Sequence, residues 1–153
     1  MRRYPGPAFA RLAGVLMIRP WPVGDFPGPS DLAEMARILL AEDDDSLRAF
    51  LARALERAGY EVRACADGDE ALAALPEADW DLLLTDIVMP GADGIEVARQ
   101  ASARQPNLRI VFITGFAAVA LAAKQSAPQG AKVLSKPIHL REIVAEVERM
   151  MAA

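Results

Sequence analysis

From residue 37 onward, short apolar runs alternate with longer segments in which apolar residues recur every three or four positions. The short runs have the length of β-strands, and the longer segments have the period of helices that bury one face. The five predicted strands are RILLA (37–41), EVRAC (61–65), DLLLT (81–85), RIVFIT (109–114) and KVLS (132–135). The second run mixes polar and apolar residues, which indicates a position near an edge. The third and fourth are apolar throughout, as central parallel strands are.

A helix is predicted after each strand. The buried face of the first comprises Leu47, Phe50, Leu51, Ala54, Leu55 and Ala58, and Gly59 supplies its C-terminal cap. The other helices are DGDEALAAL (67–75) before Pro76, a third from Ile95 to Arg104 with Asp93 as N-cap, the alanine-rich 117–127, and a fifth with the stripe Leu140, Ile143, Val144, Val147 and Met151. Because the connections are short, the strands must be parallel, with right-handed crossovers. The predicted fold is a doubly wound α/β fold.

Residues 1–34 differ in composition from the rest of the chain, since they contain six of the prolines and four of the glycines. Proline at this density blocks helices and central strands. We interpret 1–34 as a flexible, Pro/Gly-rich extension and 35–153 as the folded domain, with Met35 or Met17 as alternative starts. The apolar segment 8–18 is too short to span a bilayer and has no small-x-small cleavage site after it.

Composition narrows the class of protein. The chain has 153 residues, of which 53% are hydrophobic and 25% charged, so it can bury one full core. A net charge of -4 argues against a nucleic-acid-binding surface, which is normally basic. The single cysteine, Cys65, cannot form an internal disulfide and fits a reducing compartment. We therefore expect a cytoplasmic protein that binds neither nucleic acid nor membrane.

Polar side chains follow four of the predicted strands. Glu42, Asp43, Asp44 and Asp45 follow the first, Asp86 the third, Thr114 ends the fourth, and Lys136 follows the fifth. In a doubly wound sheet the functional crevice lies beyond the carboxyl ends of the strands, so these groups are expected to converge. Crowded carboxylates repel each other unless a cation joins them. Oxygen ligands without histidine or thiolate indicate Mg²⁺ rather than Zn²⁺.

The same residues indicate chemistry on a phosphoryl group. A carboxylate can attack phosphorus as a nucleophile, and Asp86, at the mouth of the central strand, is the candidate. Lys136 offers a positive charge and Thr114 a hydroxyl to phosphate oxygens. Asp44 and Asp45 are interpreted as residues at the start of the first helix.

The segments ILLAEDDDSLR, LLLTDIVMPGADGIE, IVFITG and AKVLSKP resemble, in order and interval, the receiver domain of bacterial response regulators over residues 36–153. The resemblance implies a flavodoxin-like (CheY-like) sheet of strand order 2-1-3-4-5. It implies that Asp86 is the phosphoacceptor, that Thr114 and Lys136 bind the phosphoryl group, and that a cis peptide bond precedes Pro137. It also implies that Mg²⁺ is held by Asp43, Asp86, the carbonyl of Val88 and, through a water, Glu42.

Two segments, MARILLAEDD and VFITGFAAVAL, resemble more closely the stand-alone receivers of the CpdR type from alphaproteobacteria. This resemblance implies a histidine kinase or histidine phosphotransferase as donor and an adaptor role toward ClpX in the ClpXP protease, active when unphosphorylated. Such a switch acts by protein contact, expected at the fourth helix, fifth strand and fifth helix, and catalyses only its own phosphorylation and dephosphorylation.

Three residues depart from the common pattern of the family or flank its site. Val133 stands where most receivers have an aromatic switch residue. The usual coupled change, in which the threonine moves and the aromatic side chain turns inward, is therefore not expected. Apolar Val88 and Phe116 flank the acceptor, and neither can orient a water, so we expect slow self-dephosphorylation.

Other functions remain open at this point. A haloacid-dehalogenase-like phosphatase would use a DxD motif after the first strand, and Asp43 and Asp45 have that spacing. The acid after the third strand, with the loop Met89–Gly91, favours the receiver instead. A phosphate carrier or sink without an adaptor role is a further alternative. A nucleotide-binding module is disfavoured because no glycine-rich loop follows the first strand.

Overall fold

The computed structural model describes residues 35–152. Its sheet contains five parallel strands in the order β2-β1-β3-β4-β5. The strands are β1 (Arg37–Ala41), β2 (Glu61–Cys65), β3 (Leu82–Asp86), β4 (Arg109–Thr114) and β5 (Lys132–Ser135). The predicted fold class and strand order are confirmed, and β2 lies at an edge as expected. Asp86, placed just beyond the third strand by the sequence, is the last residue of β3.

Helices follow each strand. They are α1 (Asp45–Arg57), α2 (Gly68–Ala74), α3 (Gly94–Arg104), α4 (Ala117–Ser126) and α5 (Leu140–Ala152). The predicted bounds agree to within one or two residues. A 3₁₀ turn, Leu75–Glu77, extends α2 through Pro76, because proline needs no partner for its nitrogen in a first turn. None of the helices within residues 35–152 has the length and apolar character needed to cross a bilayer.

The sheet is covered on both faces, since successive strand side chains point to opposite sides. Leu39 and Leu83 belong to the cluster that α2, α3 and α4 cover. Ile38 and Leu84 belong to the cluster that α1 and α5 cover. The two layers leave the carboxyl ends of the strands open, where the loops begin.

The prediction is wrong for one core residue. Phe50 is 54% exposed, although the sequence placed it on the buried face of α1. The buried stripe is centred on Leu51 and Leu55, which are fully covered. With about 100° between successive helix positions, Phe50 lies well to one side of that stripe. Phe50 therefore lies outside the core although its position fits the helical period of apolar residues.

The prediction that residues 1–34 form a flexible extension lies outside the described residues.

Candidate functional site

Three carboxylates meet at the carboxyl ends of β1 and β3. Glu42 follows β1, and the register pairs Ala41 with Thr85, so Glu42 and Asp86 are neighbours across the two strands. Carboxylate oxygens of Glu42, Asp43 and Asp86 all lie within 4.8 Å of one another. Glu42 and Asp86 are buried, and Asp43 is exposed. The structure therefore brings together the three acids that the sequence predicted as metal ligands.

Lys136 adds a positive charge to this cluster of acids. Its Nζ lies 3.2 Å from Asp86 Oδ2 and 3.6 Å from Glu42 Oε1. The Lys136 amide donates to the carbonyl of Thr114 at 2.8 Å, which continues the β4–β5 ladder beyond Ser135. Burial alone would lower the pKa of Lys136, but the charges of Asp86 and Glu42 outweigh it, so the pKa is raised. The ammonium stays protonated beside the two acids.

Glu42 is the group most affected by this crowding. Burial raises its pKa, and a hydrogen bond from the Asp44 amide lowers it. The charges of Asp86 and Asp43 raise the pKa further, and the charge of Lys136 lowers it. The outcome is a pKa of about 7 instead of 4.5. Burial is the main cause of the raised pKa, and the charges of Asp86 and Asp43 add repulsion to it, so the Glu42 carboxyl group resists ionisation at neutral pH. A bound divalent cation would relieve this repulsion, so the residues fit Mg²⁺.

The Asp86 carboxylate is held at both oxygens. Oδ1 accepts a hydrogen bond from the Ile87 amide at 2.7 Å, and Oδ2 accepts one from Lys136. Thr85 fixes the main chain, because its hydroxyl donates to the Asp86 carbonyl at 2.7 Å. The side chain is therefore oriented without any bound ligand.

Thr114 ends β4 beside this acid. Asp86 pairs with Ile113 in the ladder, so Thr114 lies one position further along the neighbouring strand. The residue is fully buried, and its Oγ1 accepts a hydrogen bond from the Phe116 amide at 3.2 Å. A hydroxyl that accepts one bond can still donate its own hydrogen. Thr114 can thus serve as a donor to an oxygen bound at Asp86.

The loop between β3 and α3 is anchored by α2. Gly68 donates its amide to the Pro90 carbonyl at 3.3 Å, and Asp69 Oδ1 accepts from the Ala92 amide at 3.2 Å. Gly94 begins α3 so close to β3 that an added Cβ would lie 2.1 Å from the Asp86 carbonyl oxygen. The sequence did not identify Gly68 and Asp69, because only the tertiary arrangement puts α2 against this loop.

Asp44 and Asp45 lie outside the acidic cluster. Asp44 is the N-cap of α1, with its carboxylate accepting from the Leu47 amide at 2.9 Å. Asp45 pairs with Arg48, and the Nη2–Oδ1 distance is 2.7 Å. Both serve the helix start, as predicted. A phosphatase DxD motif would need Asp45 beside Asp43, and the structure uses Asp45 elsewhere.

Two features near Lys136 bear on the expected resemblance. The Lys136–Pro137 peptide bond is cis. Val133, at the position where an aromatic was expected, is partly buried and packs against the core cluster on the α2–α4 side of the sheet. Phe116 and Val88, which follow Thr114 and Asp86 by two positions each, are 59% and 47% exposed. β5 contains no aromatic side chain that could turn inward toward Thr114.

Comparisons with known proteins agree with this geometry. The profile of the response regulator receiver domain matches residues 38–148. The response regulator receiver protein CpdR of Brucella abortus (strain 2308) is 58% identical over 119 residues, which cover 78% of this chain and 99% of that protein.

Solved structures give the same result. A response regulator receiver protein from Sinorhizobium medicae WSM419 superposes with a TM-score of 0.74 at 32% identity, covering 79% of this chain and 98% of that one. The response regulator TrrA from Thermotoga maritima, solved in complex with Mg²⁺ and beryllofluoride, gives a TM-score of 0.65 at 28% identity and covers 76% of this chain and 99% of that one. With an acid at the end of the central strand, a lysine at the end of β5 and a profile match over most of the chain, the protein belongs to the response regulator receiver domain family of two-component systems.

Proposed function

We propose that this receiver is a phosphorylation-dependent switch whose acceptor is Asp86. The observation that carries the proposal is the position of its carboxylate, which is buried at the end of the central strand and bonded to the Ile87 amide and to Lys136. A histidine kinase or histidine phosphotransferase would supply the phosphoryl group. In the transfer, a carboxylate oxygen of Asp86 forms a bond to phosphorus while the bond from phosphorus to the donor imidazole nitrogen breaks, and the electron pair of that bond stays on the imidazole.

The chain's own residues have separate roles in this step. Lys136 lies within ion-pair distance of the acceptor and would bind a phosphoryl oxygen, since its raised pKa keeps it charged. Thr114 would donate its hydroxyl to another phosphoryl oxygen. Thr114 lies in β4 and the Lys136 amide is bonded to its carbonyl, so both donors lie near Asp86 when charge develops on the transferred group.

Glu42, Asp43, Asp86 and the carbonyl of Val88 would hold Mg²⁺. The fit rests on the three carboxylates within 4.8 Å of one another and on the raised pKa of Glu42. Bound there, Mg²⁺ supplies positive charge that offsets the acids and the phosphoryl oxygens.

Phosphorylation with a small donor tests the acceptor. Wild type, Asp86→Asn and the control Asp79→Asn, an exposed acid just before β3, would be incubated with acetyl phosphate and Mg²⁺ or EDTA. We expect one acid-stable, base-labile phosphate per chain in wild type and Asp79→Asn, and none in Asp86→Asn or with EDTA. Repeated turnover of a phosphate ester by wild type would favour the phosphatase alternative instead.

We further propose that the switch acts in the cytoplasm as an adaptor regulating ClpXP proteolysis. The support is the 58% identity to CpdR over nearly the whole of that protein. The contact would involve α4, β5 and α5, and Leu121 on α4 is 63% exposed, as a docking residue would be. A phosphate carrier without an adaptor role is the alternative.

Partner capture distinguishes the two roles. Purified ClpX would be tested for binding to wild type and Asp86→Ala, each with and without beryllofluoride. An adaptor active when unphosphorylated binds ClpX in both proteins and loses it only in wild type with beryllofluoride. A carrier binds ClpX under none of these conditions.

A further inference from the structure

The guanidinium of Arg48 bridges two acceptors, one in the acidic loop after β1 and one in the first turn of α1. Its Nη1 donates to the main-chain carbonyl of Glu42 at 2.9 Å, and its Nη2 donates to Asp45 Oδ1 at 2.7 Å. The side chain is only 21% exposed. A planar guanidinium that makes two such bonds fixes its acceptors relative to each other, which the single ammonium of a lysine cannot do equally well.

The Glu42 carbonyl belongs to the peptide group that joins Glu42 to Asp43. The Glu42 amide is bonded to the Cys65 carbonyl at 3.1 Å, and the Glu42 side chain accepts from the Asp44 amide at 3.1 Å. The bond from Arg48 adds the third restraint, on the carbonyl. A change in the ψ angle of Glu42 that Asp43 did not compensate would displace Asp43 relative to Asp86, and the bond to the carbonyl resists that change, so the restraint helps to fix the direction of Asp43.

The acids that Arg48 orients also repel one another. Glu42, Asp43 and Asp86 are crowded together, and Lys136 bonds to Asp86 and Glu42. Repulsion would drive the exposed Asp43 outward unless the backbone resisted. Arg48 provides that resistance through the carbonyl, and it does not occupy the carboxylate oxygens that face the cluster.

We propose that Arg48 is a positioning residue for magnesium, which holds the Glu42–Asp43 peptide so that both carboxylates face the same cation. The inference rests on the proposed function, because it assumes that Mg²⁺ binds at this cluster. Arg48 itself does not contact the cation or the phosphoryl group.

The sign of the effect on affinity separates positioning from simple charge. A cation near a metal site repels Mg²⁺, so if Arg48 acted only through its charge, its removal would tighten Mg²⁺ binding. If Arg48 acts by positioning, its removal weakens Mg²⁺ binding. Residues that orient metal ligands change affinity by about 10–100-fold when replaced, so the two cases are well separated.

The test is calorimetric titration of the full chain with Mg²⁺. Arg48→Ala removes both bonds, Arg48→Lys keeps the charge but loses the two-point geometry, and Arg53→Ala removes an exposed arginine from the same helix. We expect Arg48→Ala to bind Mg²⁺ about tenfold more weakly than wild type, Arg48→Lys to fall between them, and Arg53→Ala to match wild type. Phosphorylation of Arg48→Ala by acetyl phosphate should approach the wild-type rate at saturating Mg²⁺.

Each outcome decides a separate point. Unchanged or tighter Mg²⁺ binding in Arg48→Ala overturns the inference and leaves the proposed function intact. If Arg48→Ala does not fold, Arg48→Lys decides, and wild-type affinity in that variant overturns the inference. A wild-type chain that binds no Mg²⁺ overturns the proposed magnesium site, and this inference with it.

Discussion

The Nζ of Lys136 lies 3.2 Å from Oδ2 of Asp86, although the two residues are 50 positions apart in the chain. β3 carries the acid, β5 leads to the lysine, and β4 separates the two strands. The lysine therefore reaches across the end of β4 to the acid. Without Mg²⁺, this contact places a positive charge beside two buried carboxylates.

Replacing Lys136 by alanine should destabilise the metal-free protein. Two buried acids would lose their cation, and an unpaired buried charge costs about 2 kcal/mol. We expect the free energy of unfolding in EDTA to fall by about that amount and most of the loss to disappear with Mg²⁺. Urea unfolding with and without Mg²⁺ measures both quantities, with Lys132→Ala, at the exposed start of β5, as the matched control. Equal stability of Lys136→Ala and wild type in EDTA would contradict this account.

Replacing Asp43 by asparagine should have the opposite effect on the metal-free protein. The substitution removes one of three mutually repelling charges. Because Asp43 is exposed and its charge is the weakest of those acting on Glu42, the free energy of unfolding should rise by less than about 1 kcal/mol. The same variant should gain no stability from Mg²⁺, since a ligand has been lost. Asp79→Asn, outside the cluster, should leave both measurements unchanged, and a destabilised Asp43→Asn would mean that repulsion among the three acids is not the main effect of the Asp43 charge.

Gly94 should tolerate no side chain. A Cβ at this position would lie 2.1 Å from the Asp86 carbonyl oxygen and 2.9 Å from the Ile87 Cα, and backbone cannot move aside as a flexible side chain can. We expect Gly94→Ala to cost about 3 kcal/mol of stability and to slow phosphorylation of Asp86. Gly115→Ala is the control, because its Cβ would meet only Lys136 side-chain carbons at 3.8 Å and 3.9 Å. Similar unfolding midpoints for the two variants would disprove the steric argument.

The phosphorylated protein should lose its phosphate slowly. Val88 and Phe116 are apolar and exposed beside the acceptor, and neither can hydrogen-bond an attacking water. Val88→Asn should accelerate dephosphorylation about tenfold, which corresponds to one hydrogen bond of about 1.4 kcal/mol in the transition state. Phe116→Ala removes bulk without adding a polar group and separates shielding from orientation. Loss of phosphate from wild type within seconds at neutral pH would refute the prediction.

Cys65 should be inert in the folded protein. The side chain is fully buried, and burial raises the pKa of its thiol to about 11 from 9. A thiol with a raised pKa binds its proton more tightly in the folded state, so its contribution to stability is complete below pH 9 and is lost as the pH rises through 11. Iodoacetamide labelling followed by mass spectrometry should show little modification at pH 8 unless urea is added. Rapid labelling of the native chain would mean that β2 opens locally.

The strand ends explain why so much of the site follows from the sequence. Parallel strands bring their carboxyl ends to one edge, so Glu42, Asp86, Thr114 and Lys136 could be assigned to one place from order alone. Helix-face predictions were weaker. Phe50 satisfied the period but lies outside the core, because the stripe is set by the helix orientation on the sheet.

Other residues of the site were missed for a different reason. Arg48 and Asp69 act by bonding to main-chain groups of loops. Such contacts depend on the path of the loop, and arginine and aspartate at surface positions commonly have no such partner. Their residue types therefore carry no signal of the role, whereas a carboxylate after a buried strand does.

The position of β3 in the sheet has a consequence for the persistence of the pocket. β3 has hydrogen-bonded neighbours on both sides, whereas β5 has one neighbour, β4. Amide protons in the middle of such a sheet exchange with solvent only in rare, nearly global openings, and those of a border strand exchange through small local ones. The β3 side of the pocket should therefore open rarely, whereas the β5 side should open locally more often. Asp86 can then stay in position while the segment that carries Lys136 opens and closes.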